Sequence, residues 1–161
     1  MFIRISRLAS AACLGLALVA TQSPAQGRAP AADGLIKVRS GYSVEETIER
    51  IKKDIADKGI VFFQAVDQSK LAAEAGIALP PSTLLTFGNP PLGAQFLTSK
   101  PNSGLDWPVR LLVRQDTAGD VWAVYTDFGW IAQRHGIADR KEQFAKASSV
   151  VESITSTIRA R

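Results

Sequence analysis

Cysteine is all but missing from this chain: Cys13 stands alone, inside an apolar run near the start. With no second thiol there is no intrachain disulfide, and a thiolate metal site has no ligand set. Histidine is as scarce, His135 being the only one. One imidazole and scattered carboxylates do not make a usual transition-metal site, so neither metal nor cofactor is expected. No run of Lys or Arg exceeds a pair such as Lys52-Lys53, and no aromatics interleave with basic residues in a stripe. The electrostatic footprint of a nucleic-acid binder is therefore missing. No serine-hydrolase G-x-S-x-G elbow is present, and Asp127-Phe128-Gly129 matches the kinase metal-binding triplet without a glycine-rich loop or an HRD run.

What is present begins with a leader. Arg4 and Arg7 precede the uncharged apolar stretch Leu8 to Ala20, and Ser23-Pro24-Ala25 supplies small residues at a cleavage site. This is the layout of a secretory signal peptide over residues 1–25. The apolar stretch falls well short of the roughly 20 residues that cross a bilayer, so a periplasmic or secreted protein with no stable membrane insertion after cleavage is expected. Cys13 lacks the upstream Leu of a lipoprotein signal; position 10 is Ser. Cleavage would remove two of the 19 basic residues and none of the 15 acids, lowering the net charge from +4 to +2. Residues 26–33 read as a flexible tether. Residues 34–161 then suit a single domain.

The spacing predicts the elements in order. Leu35 to Arg39 alternates as a short strand. Ser43 and Glu46 form a capping box for a helix whose Val44, Ile48, Ile51 and Ile55 share one face, and Gly59 ends it. Ile60 to Val66 is β-branched and aromatic, the composition of a well-buried strand. Ser69 to Ala75 is a short helix and Ser82 to Phe87 a strand. Val109 to Arg114 and Val121 to Thr126 alternate on either side of the turn Asp116 to Asp120, which makes a hairpin. Trp130 to His135 is a short helix. Asp139 and Glu142 cap a last helix running to Ala160, with Phe144, Ala147, Val151, Ile154 and Ile158 on one stripe. The fold class is α+β, a mixed, largely antiparallel sheet with helices packed mainly on one face.

Periodicity does not account for residues 82–108, where Gly88, Pro90, Pro91, Gly93, Pro101, Gly104 and Pro108 punctuate apolar runs. Gly88 is suited to positive φ, Asn89 to an extended backbone before proline, and Pro90 to the first turn of a helix. Such a helix start would aim free N–H groups at an anion or carboxylate. The segments from Ala65 to Leu97, then LDWPVRLLV, VWAVYTDF and IAQRHGI, resemble the domain of unknown function (DUF) 302 family over nearly the whole mature chain. Phe87, Gly88, Asn89, Pro90 and Gly93 carry its most specific signature, with Asp106, Pro108 and Tyr125 in support. The resemblance implies a compact α+β fold, dimers and no established activity. Many relatives have Asp-His after the second strand, whereas here Gln68 follows Asp67, which leaves chemistry at that histidine without its residue.

The candidate site is a convergence of Asn89, Asp106, Arg110 and Tyr125 near the loop shaped by Gly88, Pro90 and Gly93, with Gln68 and His135 as outer members. Arg110 would pair with Asp106 or hold a small anionic or polar ligand, Asn89 would orient it, and Tyr125 would offer a ring and a hydroxyl. Plain turn chemistry at Asn89 and Asp106, and an imidazole favoured by a helix C-terminus at His135, are the competing readings. A ligand-binding or accessory module is the first expectation. A homodimeric interaction or structural protein of the envelope is the second, with Trp107, Trp122 or Trp130 facing a partner. A metal-independent enzyme using Asp67, Asp106 or His135 is the third.

Overall fold

A computed structural model describes residues 33–160 of the chain. The expected leader over 1–25 and nearly all of the expected tether over 26–33 lie outside the described residues. The α+β class holds. Five strands, β1 (Leu35–Arg39), β2 (Val61–Asp67), β3 (Ser82–Gly88), β4 (Val109–Gln115) and β5 (Val121–Thr126), form one sheet in the order β1-β5-β4-β3-β2. Every neighbouring pair is antiparallel, so the sheet is not mixed. The first strand-helix-strand run accordingly does not make a parallel unit; β1 and β2 lie at opposite edges.

Strand alternation decides which face is covered. Leu85, Leu111 and Tyr125 stand in register across β3, β4 and β5, with Phe87, Val113, Ala123 and Val38 on the same side. They form one core with Ile51 and Ile55 of α1 (Val44–Asp57) and Phe144, Val151 and Ile154 of α5 (Lys141–Ser156). Fully burying each such aliphatic contributes about 1.5–3 kcal/mol. The residues one step along, Leu84, Leu112 and Val124, also stand in register but lie outside that core. Among the described residues, the core helices α1 and α5 thus pack on the side of Leu85, Leu111 and Tyr125.

The predicted start of α1 is half realised. The Ser43 hydroxyl accepts from the Glu46 N–H, but the Glu46 carboxylate turns outward to Arg50 rather than back to the cap. The last helix begins at Lys141, two residues later than expected. Its predicted cap, Asp139, instead accepts from Ser99 and Arg140. The largest correction concerns β2. Its composition suggests burial, yet most of the strand is exposed because it forms the sheet's edge, with a register shift between Phe62 and Gln64. The helix after it, α2 (Gln68–Glu74), has no buried residue.

Candidate functional site

Residues 82–108 fold as β3, then α3 (Pro90–Ser99), then a 3-10 helix over Pro101–Asp106. Gly88 does not take positive φ. Its role and that of Gly93 are steric: both lie under the Trp107 indole, and a Cβ built at Gly93 would overlap the ring. The glycines of the loop are therefore a seat for a tryptophan. The start of α3 is likewise not an anion site. Pro90 and Pro91 have no N–H, and the Leu92 N–H is already held by the Asn89 side chain at 3.0 Å. Asn89 serves as a helix cap.

The 3-10 helix delivers Asp106 into the protein, where its carboxylate is 4 % exposed. Three cationic or ionisable partners converge on it. Arg110, four residues on in β4, donates at 2.8 Å. Arg134 and His135 come from the last turn of α4 (Phe128–His135): Arg134 donates to both carboxylate oxygens at 3.0 and 3.2 Å, and the imidazole Nε2 lies 2.6 Å from Oδ2. The α4 terminus is set from the sequence. Asp127 caps its start through the Trp130 N–H, and Gly136 takes φ 62° to end it. A helix C-terminus favours both positive side chains. His135 is 8 % exposed, whereas both guanidinium groups are about half-exposed. Since they share Oδ1 of Asp106, the two arginines bring their nitrogens within about 6 Å of each other.

Two cavities of about 10 Å³ each, room for one water, adjoin Asp106. One is lined by Val109, Arg110, Thr126, Phe128 and Ile131. The other runs past Phe96, Trp107 and Ser103, whose buried hydroxyl has no hydrogen-bond partner. An open cleft of about 560 Å³ lies at the other end of the sheet, but its Arg39 and Asp120 are paired with each other.

Of the residues predicted from sequence, Asp106, Arg110 and His135 do come together. Asn89 does not join them, for the capping reason above. Tyr125 is buried in the core, where desolvation first and the Glu152 charge second raise its pKa above the ordinary phenol value. Gln68 accepts from the Ser82 hydroxyl at the β2–β3 connection. Asp67 caps α2, and bonds from the Ser69 hydroxyl and then the Lys70 N–H hold its pKa below the usual carboxylate value. Arg134 and Ser103 were not anticipated as members. Arg134 was open to inference, because it adjoins His135 in the final turn of a capped helix. Ser103 gives no such signal, since the residues that share its cavity include Phe128, Ile131 and Phe144, distant in sequence.

The fold and this aspartate-centred cluster define a small α+β domain. The chain belongs to the family described as domain of unknown function DUF302, whose model matches residues 36–157. An uncharacterised conserved DUF302 protein from Bacillus stearothermophilus has the same fold, with a TM-score of 0.72 at 20 % identity, over 80 % of this chain and 100 % of that one. The chain is also 41 % identical, over 114 residues, to the protein named fluoride-specific ion channel FluC 1 of Brucella suis biovar 1, and to FluC 2 of Brucella melitensis biotype 1. The matches take in 71 % of this chain but only 45 % and 42 % of those proteins, so the chain spans less than half the length of these curated relatives. Among the described residues no helix is long and apolar enough to cross a membrane.

Proposed function

We propose that this chain is a small, exported binding or accessory module that holds an anionic group on the paired guanidinium groups of Arg110 and Arg134. The observation that carries this reading is the sharing of one buried carboxylate by two half-exposed arginines and a buried imidazole. Asp106 offsets one positive charge and fixes both side chains, so their ordering cost is met before a ligand arrives. Each guanidinium has five donors, and the outward ones remain for a ligand. The cavities beside Asp106 admit nothing larger than a water-sized ion, so a larger anion would sit on the outer surface of the pair. Export rests on the leader read from residues 1–25. An accessory role gains support from the channel-named relatives, in which the similar region is less than half of the protein.

Thermal unfolding with fluoride, chloride, phosphate, acetate and citrate at constant ionic strength tests the proposal. At least one anion is expected to raise the Tm, and Arg110→Ala with Arg134→Ala to abolish that rise while the circular dichroism is kept. No shift with any of the five, or a shift that survives the double substitution, would end this reading.

A second reading, a homodimeric interaction protein, is favoured by the exposed apolar residues at the β2 edge.

A further inference from the structure

Ser103 differs from the other buried hydroxyls whose partners are visible. The Thr47 hydroxyl bonds to Ser40, that of Ser82 to Gln68, and that of Thr155 to the Val151 carbonyl. Ser103 is 2 % exposed, and its Oγ is the one enclosed side-chain polar atom among the described residues with no hydrogen-bond partner. A hydroxyl withdrawn from solvent loses the bonds it made there, so native interiors rarely keep one unpaired. What lies next to it therefore matters.

A cavity of about 10 Å³ touches both Ser103 and Asp106, and the rest of its wall is aromatic rings and Ile131. The two polar residues stand three apart in the same 3-10 helix, Pro101–Asp106. Side chains at that spacing eclipse one another, and a rise of about 2 Å per residue sets their Cα atoms about 6 Å apart. Two hydrogen bonds in line, about 2.8 Å each, span such a gap. The acceptor side has room as well. Three nitrogen donors, one each from Arg110, Arg134 and His135, reach the Asp106 carboxylate. Its two oxygens offer about four acceptor positions, so one is open.

We propose that this cavity is a built site for a single water molecule, which donates to the Asp106 carboxylate and bonds to the Ser103 hydroxyl. The chemistry of the pair selects the ligand. A carboxylate only accepts, so an anion beside it would meet like charge; a cation would meet Arg110 and Arg134, which together outweigh Asp106. The volume, sufficient for one water, excludes phosphate, carboxylates and hydrated ions. A neutral donor of this size satisfies both groups. The consequence reaches the surface, and this part rests on the anion reading above. A water anchored by Ser103 steadies Asp106 from within the core, which makes Ser103 a positioning residue for the two guanidinium groups that Asp106 holds.

Water relaxation dispersion on the purified protein counts the long-lived internal waters, and a crystal structure places them. Wild type is expected to hold one more such water than Ser103→Ala, with its density about 2.5–3.0 Å from both the Ser103 Oγ and an Asp106 oxygen. Ser103→Ala is expected to keep its circular dichroism and to show a smaller anion-induced rise in Tm than wild type. Should that variant fail to fold, the wild-type density alone decides. Equal counts in the two folded proteins, a direct Ser103–Asp106 bond, or a water that misses either group overturns the site. A water in place with an undiminished rise in Ser103→Ala overturns the positioning role alone. A water in place with no rise for any anion in wild type overturns the anion reading and the positioning role with it, and leaves the water site standing.

Discussion

The sheet has two edges, and they are finished in opposite ways. β1 is five residues long and carries Lys37 and Arg39, paired with Asp33 and Asp120. It is also fastened beyond its ends: the Asp127 N–H bonds to the Gly34 carbonyl, and the Ser40 and Gly41 N–H groups to Val121 and Ile158. β2 is longer, uncharged over most of its length, and followed by a helix that touches little. An edge meant to stay in water is short, charged and tied down, and β1 meets all three conditions. The apolar β2 edge meets none of them. The comparison teaches that exposure alone does not define a surface; what the exposed strand is made of does.

Both edges nevertheless depend on a tryptophan resting on glycine, and this is where the comparison can be broken most sharply. Gly93→Ala would drive a methyl group into the Trp107 indole, which meets Phe63 of β2. Gly34→Ala would place a Cβ 2.6 Å from the Trp130 ring at a residue with φ 67°, just before β1. Each is expected to cost about 3 kcal/mol in urea unfolding, from overpacking and, at Gly34, backbone strain as well. A cost below about 1 kcal/mol at Gly93 alone would mean that Trp107 yields, and that the β2 side is held more loosely than the β1 side.

Acid tests both edges at once, with a smaller effect. The Leu35 N–H holds the Asp33 carboxyl below its ordinary pKa at the start of β1, and the Ser69 hydroxyl does the same for Asp67 at the start of α2. The Trp122 indole N–H lowers Asp116 in the hairpin turn beside β1. In each case the folded state favours the carboxylate. The stabilisation is therefore complete above about pH 4, and it fades as pH falls through the lowered values. Melting temperature should be flat from pH 7 to 5 and decline below about pH 4, with a shallower decline in Asp116→Asn.

The smallest effect is expected where charge is most visible. Arg39→Ala removes an exposed ion pair from β1, and urea unfolding is expected to show almost no change in stability, because solvent screens the pair. A larger loss would show that the charged edge is held by Coulomb attraction rather than by its backbone bonds.

Local signals made much of this fold legible in the sequence. Ser43 and the spacing of Val44, Ile48, Ile51 and Ile55 are sufficient for α1, and alternation around Asp116 to Asp120 for the β4–β5 hairpin. Asp106 and Arg110, four residues apart across a helix-to-strand junction, were readable as a pair. The misreadings share one physical cause, a partner distant in sequence. β2 has a core strand's composition, yet its place at the edge depends on how β3, β4 and β5 line up. Asp139 looks like a cap until Ser99, forty residues earlier, takes its carboxylate. Asn89 could orient a ligand only if its amide were not already engaged by the backbone of α3.

The three indoles have a practical consequence. Trp107 borders the apolar edge through Phe63, Trp130 lies under the Arg134 guanidinium at 5.6 Å, and Trp122 is tied to the hairpin turn. The molecule thus contains three optical probes, one at each place where something can happen to it. With two of the three replaced by Phe, the emission of the remaining one reports a single event. A change at the Arg134 guanidinium is expected to show at position 130, a change in packing around Phe63 at 107, and opening of the hairpin at 122.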